Sequence, residues 1–112
     1  MEEKKMNELK VYRSQYVYIL LCEDGSYYTG YSTDPSRRFR EHALGKGAKY
    51  TKSHKPKELL YIEEYKTRSE ALKREHQIKQ LTHEQKKQLM LEHKQNLMSY
   101  RKQRAVDVLS EY

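Results

Sequence analysis

The segment Tyr16-Val17-Tyr18-Ile19-Leu20-Leu21-Cys22, followed by Tyr27-Tyr28-Thr29-Gly30-Tyr31, decides how this chain folds. Both runs are rich in aromatic and β-branched residues, a composition typical of strands. Between them lies Glu23-Asp24-Gly25-Ser26, which contains an Asp-Gly pair, a strong signal for a tight turn. The two runs therefore predict a β-hairpin.

A helix and a loop are predicted after the hairpin. Asp34-Pro35 has the pattern of an N-cap followed by proline at the first helical position, and Gly45 and Gly47 provide a stop. The helix should run from about Pro35 to Leu44. The segment 45–56 combines glycine with lysine and has no apolar periodicity, so we expect a basic loop there.

A third strand and two more helices complete the pattern. Glu58–Tyr65 is the strand candidate. Thr67-Arg68-Ser69-Glu70 has the spacing of a capping box and predicts a helix that ends near residue 80. Thr82-His83-Glu84-Gln85 repeats the pattern and predicts a third helix, which continues through Lys94 and towards Arg104 although its apolar positions are sparse.

The predicted order β-β-α-β-α-α indicates an α+β fold, a small antiparallel three-stranded sheet flanked by helices. A length of 112 residues suits one domain. We divide the chain into an N-terminal arm over 1–12, frayed or helical, a folded domain over 13–94, and a C-terminal helical or disordered tail over 95–112.

Composition excludes several classes of protein. Hydrophobic residues make up 36% of the chain, so the core must be small, and no apolar run approaches the ~20 residues of a membrane helix. The N-terminus lacks the apolar region of a signal peptide, and we expect a cytoplasmic protein without membrane contact. Cys22 is the only cysteine, which excludes an internal disulfide and a cysteine zinc cluster and favours a buried structural thiol. No glycine-rich phosphate loop is present, so no nucleotide cofactor is expected.

The positive charge of the chain is concentrated in one segment. From Arg37 to Lys57 there are eight basic residues against Glu41 alone, an excess as large as the +7 of the whole chain. Such a segment is typical of proteins that bind a phosphate backbone, although a solvated basic face without a partner would look the same. The candidate nucleic-acid-binding residues are Arg37, Arg40, Lys46, Lys49, Tyr50, Lys52 and Lys55.

Tyrosines are abundant, with 11 in the chain and no tryptophan. Tyr50 within the basic loop, and Tyr27 and Tyr31 beside the expected cleft, could stack on unpaired bases. This arrangement would favour single-stranded or distorted DNA over intact duplex. Alternatively, Tyr50 pins the loop to the core.

Glu75 lies at an unexpected position. On the predicted helix its apolar neighbours Ala71, Leu72 and Ile78 are four or three residues away, which places the carboxylate within the buried stripe. A carboxylate there needs either an ion pair with a nearby lysine or arginine, or a metal ion. Mg²⁺ would suit a single carboxylate, because this ion keeps several of its waters.

Arg38 and His42 are four residues apart and share one face of the first helix. Arginine offers a planar fork to phosphate, and histidine can accept a proton near neutral pH. In isolation, such a pair more often belongs to a solvated helix face than to a site.

Taken together, Tyr16-Val17-Tyr18, Tyr28-Thr29-Gly30, the helix pair Arg38 and His42, and Glu75 resemble the GIY-YIG endonuclease superfamily in order and spacing. The stretch Gly45–Thr51 and the segment Ala71–Leu81 are similar to its small stand-alone bacterial branch. The resemblance implies a GIY-YIG fold and hydrolysis of DNA phosphodiester bonds with Mg²⁺ or Mn²⁺, with a role in DNA repair or processing. Two positions depart from the motifs: Tyr16 stands where glycine is usual, and Thr29 replaces isoleucine.

The same resemblance implies roles for individual residues. Glu75 matches the metal-binding glutamate, and Arg38 would balance charge on the phosphate in the transition state. Either Tyr18 or His42 would be the general base, and Tyr28 would orient water or phosphate. The alternative function is a nucleic-acid-binding module that keeps this fold without hydrolysis. The sequence does not indicate an oligomeric state.

Overall fold

The computed structural model describes residues 13–110 of the chain, and the predicted arm over 1–12 lies outside them. Three strands form one antiparallel sheet: β1 is Gln15–Cys22, β2 is Tyr27–Ser32 and β3 is Pro56–Tyr65. The strand order is β2-β1-β3, so the strand of the first motif lies in the centre. The predicted hairpin and the α+β class are both confirmed.

The hairpin turn forms as the Asp-Gly pair predicts. Gly25 has a φ of 84°, a conformation that other residues rarely adopt. The Asp24 carboxylate accepts hydrogen bonds from the backbone N–H and the hydroxyl of Ser26, at 3.0 and 2.6 Å. These local bonds fix the register that pairs Tyr18 with Gly30 across the two strands.

Five helices surround the sheet: α1 is Pro35–Ala43, α2 is Lys49–Ser53, α3 is Arg68–Lys79, α4 is His83–Glu92 and α5 is Gln95–Ser110. Asp34 caps α1 by accepting from the backbone N–H of Arg37, and Thr67 caps α3 in the same way. At Thr82 the complete capping box is present. The helix starts predicted from these caps are therefore confirmed.

Alternation along the strands gives the sheet two different faces. The face that we call the α3 face presents Val17 and Ile19, which pack with Ala71 and Ile78 of α3. The opposite face, the α1 face, presents Tyr18 and packs against side chains of α1 and α5; its other core residues are Leu20, Ile62, Phe39, Leu97 and Tyr100. Each face is thus covered by helices, as the period of two in a strand requires.

A largely buried carboxylate joins β3 to α3 on the α3 face. Glu63 accepts hydrogen bonds from the hydroxyls of Tyr61 and Tyr65, each at 2.6 Å. The guanidinium of Arg74 donates to the same carboxylate at 2.8 and 3.2 Å. Because the charge is paired and its oxygens are satisfied, Glu63 can be buried at low cost.

Two sequence-based expectations about the chain path were wrong. The segment 45–56 is not a plain loop, because one helical turn, α2, forms inside it and β3 already begins at Pro56. The third predicted helix does not continue past Lys94, because α4 ends at Glu92. The break lets the chain change sides: Leu89 packs on the α3 face, whereas Leu97 packs on the α1 face.

Helix α5 is anchored on the α1 face. The ring of Tyr100 packs edge-on against Tyr16, with centroids 5.3 Å apart. The Tyr100 hydroxyl lies 2.8 Å from the hydroxyl of Ser36, and Arg104 pairs with Asp34 at 3.3 Å. Helix α5 is therefore fastened to the start of α1. Among the described residues, no helix combines the length and apolar character needed to cross a membrane.

The stripe predicted on α3 is narrower than expected. Ala71 and Ile78 are fully buried, but the Leu72 residue is 38% exposed. The prediction that Leu72 belongs to the buried stripe was therefore wrong, because α3 presents a narrow row of residues to the sheet. The Cys22 thiol is buried as expected, and burial raises its pKa.

Ile78 and Leu72 give a matched test of this packing. We expect Ile78→Ala to lower the free energy of unfolding by about 2–5 kcal/mol, because it leaves a cavity in the core. Leu72→Ala on the same helix should cost less than about 1 kcal/mol. Urea unfolding of both variants measures the difference. Equal losses would contradict the assignment of α3 residues to core and surface.

Candidate active site

The side chain of Tyr18 is the buried centre of the candidate site. Tyr18 is 1% exposed and projects from the central strand onto the α1 face. Its cross-strand partner is Gly30, and a Cβ atom at that position would collide with the Tyr18 hydroxyl. Glycine at position 30 therefore makes room for the phenol over β2.

The His42 imidazole holds the Tyr18 hydroxyl in place. His42 is fully buried on α1, and its Nε2 lies 2.9 Å from Tyr18 Oη. Its Nδ1 lies 2.7 Å from Oγ1 of Thr51, a buried residue of α2. A Cβ at Gly47 would collide with the same Nδ1, so glycine there lets the chain pass beside the ring. His42 is thus not on a solvated helix face.

Burial keeps both members of this pair uncharged near neutral pH. Desolvation lowers the pKa of His42 to about 4, and the charge of Arg38 acts in the same direction while Glu41 opposes it. Desolvation likewise raises the pKa of Tyr18 far above its ordinary value, and Arg38 opposes that shift. The hydrogen bond between them therefore joins a neutral imidazole to a neutral phenol.

The other predicted site residues surround this pair. The Tyr28 ring lies 5.1 Å from the His42 ring and 6.4 Å from that of Tyr18. The Arg38 guanidinium pairs with Glu41 at 3.0 Å and also interacts with the Tyr18 hydroxyl through its charge and as a hydrogen-bond donor. Burial raises the pKa of Tyr28, and the nearby Glu75 carboxylate adds to that shift. The five predicted residues therefore form one electrostatic cluster.

Glu75 reaches this cluster from α3. Its side chain is 18% exposed, and its carboxylate lies 3.6 Å from the ammonium group of Lys79. Over the residues that the structure describes, no group of three or more histidine, cysteine or carboxylate side chains could hold a metal ion. A single carboxylate is nevertheless a sufficient protein ligand for Mg²⁺ when waters and phosphate oxygens complete the shell. The Glu75 carboxylate therefore suits such an ion, and it equally suits the ion pair with Lys79.

Comparison with known proteins identifies the family to which the chain belongs. Residues 14–88 match the GIY-YIG catalytic domain. The chain belongs to the GIY-YIG family. A UPF0213 protein of Staphylococcus epidermidis is 58% identical over 71 residues, which are 63% of this chain and 87% of that protein. A UPF0213 protein of Haloquadratum walsbyi is 56% identical over 71 residues, 63% of this chain and 80% of its own length.

Two solution NMR structures are also similar to this chain. The UPF0213 protein BH0048 of Bacillus halodurans is 45% identical, and the match covers 71% of this chain and 85% of that one with a TM-score of 0.48. The protein EF2693 of E. faecalis is 48% identical, with 69% and 82% covered and a TM-score of 0.49. Helix α5 lies beyond the residues that match the GIY-YIG domain.

The basic segment of this GIY-YIG domain covers α1, α2 and the chain around them. Its candidate binding residues other than Tyr50 are basic and exposed: Arg37, Arg40, Lys46, Lys49, Lys52 and Lys55. Arg37 lies 3.5 Å from Glu41 in an exposed ion pair. The other side chains of this set project from or beside the elements that carry His42 and Thr51. Exposed positive charge is therefore carried by the same part of the chain that supplies His42 and Thr51.

Tyr50 is occupied by contacts within the protein. Its ring stacks on His54 with centroids 4.0 Å apart and lies 5.9 Å from the Tyr28 ring. His54 in turn pairs with Asp24 in the hairpin turn at 2.5 Å. This geometry is the one expected if Tyr50 holds α2 against the sheet, and the residue remains 38% exposed.

Tyr27 and Tyr31 do not lie beside the cleft, so that expectation was wrong. They pair with Leu21 and Val17, and therefore point to the α3 face, opposite to Tyr18. Tyr27 stacks on His83 of α4 with centroids 3.9 Å apart. The Tyr31 hydroxyl donates to the side chain of Gln15. Both rings serve the packing of the opposite face.

Sequence reasoning missed two parts of the site, Thr51 and Gly47. Thr51 lies nine residues beyond His42 in a different helix, and no spacing rule connects them. Gly47 was interpreted as a helix stop and as part of the stretch that resembles the family, but not as a part of the site, where its missing side chain accommodates the imidazole. A glycine five residues after a histidine in a helix is a weak signal. In the sequence, a glycine that ends a helix cannot be distinguished from one that allows a close contact.

The low pKa of His42 makes a testable prediction about pH. In the unfolded chain a histidine binds a proton near pH 6.5, whereas His42 in the folded protein binds one only near pH 4. Between these values the unfolded state holds more protons, so the free energy of unfolding should fall as the pH is lowered from 6.5 to 4. An NMR titration of the His42 ring should give a midpoint near 4. A midpoint near 6.5 would contradict the burial of this ring.

Proposed function

We propose that this protein is a divalent-metal-dependent DNA endonuclease. The observation that carries the proposal is the buried hydrogen bond between Tyr18 and His42, placed beside a guanidinium and a carboxylate. A protein that only binds DNA has no need for a buried, neutral pair that can transfer a proton. The GIY-YIG family match supports the same activity.

Tyr18 and His42 act together on the attacking water. Direct attack on a water proton by ionised Tyr18 is unfavourable, because burial raises the pKa of this hydroxyl. If the Tyr18 oxygen accepts a proton from water while its own proton passes to His42 Nε2, no phenolate has to form. The bound phosphate brings negative charge near the ring, which makes His42 a stronger base than in the free protein.

Arg38 and Tyr28 contact the scissile phosphate in this proposal. The Arg38 guanidinium offers a planar fork that suits phosphate oxygens and stabilises the additional negative charge of the transition state. It would exchange its contact with Glu41 for one with DNA. The Tyr28 hydroxyl orients the water or a phosphate oxygen, because its ring packs beside His42.

Glu75 would hold the metal ion. A bound Mg²⁺ or Mn²⁺ supplies positive charge to the phosphate and to the leaving oxygen. The protein contributes one carboxylate, held on α3 between the buried Ala71 and Ile78. Lys79 would have to release this carboxylate when the ion binds.

The exposed basic residues around α1 and α2 would bind the DNA backbone. Each phosphate contact releases counterions, so affinity should depend steeply on salt. Backbone contacts do not distinguish strands or sequences. A preference for single-stranded or distorted DNA rests on the exposed part of Tyr50, which would have to stack on a base in addition to His54. DNA repair or processing is the setting in which such a preference would be useful.

A second function is favoured by the Glu75–Lys79 contact. An ion pair already satisfies the carboxylate without a metal ion, as would be expected in a domain that binds nucleic acid but does not cleave it. The two functions make opposite predictions for these two residues.

The first test is cleavage of single-stranded and duplex DNA with Mg²⁺, Mn²⁺ or EDTA. If Glu75 is the metal ligand, Glu75→Gln should abolish cleavage and leave DNA binding and folding intact. The matched control is Lys79→Met, which removes the partner of Glu75 but keeps the carboxylate. It should retain cleavage. Loss of DNA binding or of folding in both variants, with no cleavage by the wild type, would favour the non-catalytic module.

The second test separates the proton-transfer pair from its surroundings. Tyr18→Phe keeps the ring and removes the hydroxyl, so kcat should fall by about 10²–10⁴-fold with little change in KM. The control is Tyr16→Phe, which removes a hydroxyl two residues away on the same face. Full activity of Tyr18→Phe would exclude Tyr18 from the reaction.

A further inference from the structure

Thr51 is a buried hydroxyl in contact with the proposed catalytic pair. It is 2% exposed, and α2 places it against the ring of His42 on the side away from Tyr18. The proposed reaction assigns Thr51 no role.

The contacts of Thr51 indicate which nitrogen of His42 carries the proton. A hydroxyl has one proton to donate, and the Thr51 hydroxyl lies 2.9 Å from the carbonyl oxygen of Ala48, which can only accept. With that proton engaged, the 2.7 Å contact between Thr51 Oγ1 and His42 Nδ1 must be donated by the imidazole. The backbone N–H of Ala48 can only donate, and it also points at Nδ1, which would favour an unprotonated Nδ1; at 3.4 Å, however, it is the weaker of the two contacts.

The other side of the ring leads to the same tautomer. The guanidinium of Arg38 has only donors, and it donates towards the Tyr18 oxygen. Arg38 therefore offers no acceptor for the single proton of the Tyr18 hydroxyl, whereas an unprotonated His42 Nε2, at 2.9 Å, does. Both ends of the ring thus agree on a proton at Nδ1.

We propose that Thr51 is a positioning residue, which keeps the proton of neutral His42 on Nδ1 so that Nε2 can receive the proton of Tyr18. The chain of donors then runs in one direction, from Tyr18 through His42 and Thr51 to the carbonyl of Ala48. In the other tautomer Nε2 would already carry the single proton of the neutral ring, so it could not accept the proton of Tyr18. This role rests on the proposed nuclease function, but the tautomer itself does not.

Gly47 makes this arrangement possible. Because position 47 has no side chain, the turn between α1 and α2 passes against Nδ1, and Thr51 can approach to 2.7 Å. If Thr51 had only a structural role, its hydroxyl would stabilise α2 through the hydrogen bond to the carbonyl of Ala48. That role predicts a loss of stability when the hydroxyl is removed, without a change of tautomer.

The experiment compares Thr51→Val, which keeps the shape and loses the hydroxyl, with Thr51→Ser, which keeps the hydroxyl. The control is Thr29→Val: Thr29 is also buried, its hydroxyl has no hydrogen-bond partner among the described residues, and it faces the opposite side of the sheet. The ¹⁵N chemical shifts of the His42 ring report the tautomer directly. Cleavage kinetics on DNA with Mg²⁺ give kcat and KM for the same proteins.

We expect a protonated Nδ1 in the wild type, in Thr51→Ser and in Thr29→Val, and a shift towards protonated Nε2 in Thr51→Val. In Thr51→Val kcat should fall by about 10-fold to 100-fold with KM unchanged, the range seen when the group orienting a metal-binding histidine is lost. Thr51→Ser should recover most of the rate.

A protonated Nε2 in the wild type would overturn the proposal, even if Thr51→Val did not fold. So would an unchanged tautomer in Thr51→Val, or an unchanged kcat despite a changed tautomer. If the tautomer shifts in Thr51→Val as expected but the wild type does not cleave DNA, the nuclease function fails while Thr51 still sets the proton position of His42.

Discussion

The buried hydrogen bond between Tyr18 and His42 is the constraint around which this domain is organised. It joins the central strand to α1, and it requires space on both sides. Gly30 provides that space over β2 and Gly47 provides it beside the imidazole. Because a buried polar pair is costly unless every group is satisfied, the second nitrogen of His42 needs its own partner, and Thr51 is that partner.

The alternation of side chains along the strands places packing residues on one face of the sheet and the candidate site on the other. Side chains on the α3 face, such as Ile19 and Tyr27, are committed to helix packing. The α1 face carries Tyr18 and Tyr28 and lies under the basic segment that contains α1 and α2. The tyrosine-rich hairpin can therefore supply both a core and a site, since neighbouring residues in a strand face opposite ways. The Glu75 carboxylate is the exception, because it contributes to the site from α3.

Sequence reasoning succeeded where the decisive interactions are local. The Asp-Gly turn, the caps at Asp34 and Thr82, and the helix pair of Arg38 and His42 each depend on residues within four positions. Sequence reasoning failed where contacts with residues distant in the sequence determine the local structure. The turn of helix at Lys49–Ser53 depends on contacts with His42 and Tyr28, and the break after α4 depends on which sheet face the next apolar residues cover. The orientation of Tyr27 was predictable, because strict alternation places it opposite to Tyr28.

Tyr16 shows how a departure from the family motif is accommodated. A tyrosine in the usual glycine position places a large ring on the α1 face, where it would be exposed without a cover. Tyr100 of α5 packs against that ring, and the same residue contacts Ser36 at the start of α1. Helix α5 lies outside the residues that match the GIY-YIG domain. Tyr16, which departs from the motif, and this helix form one packing unit. That unit holds the beginning of the helix on which Arg38 and His42 depend for their positions.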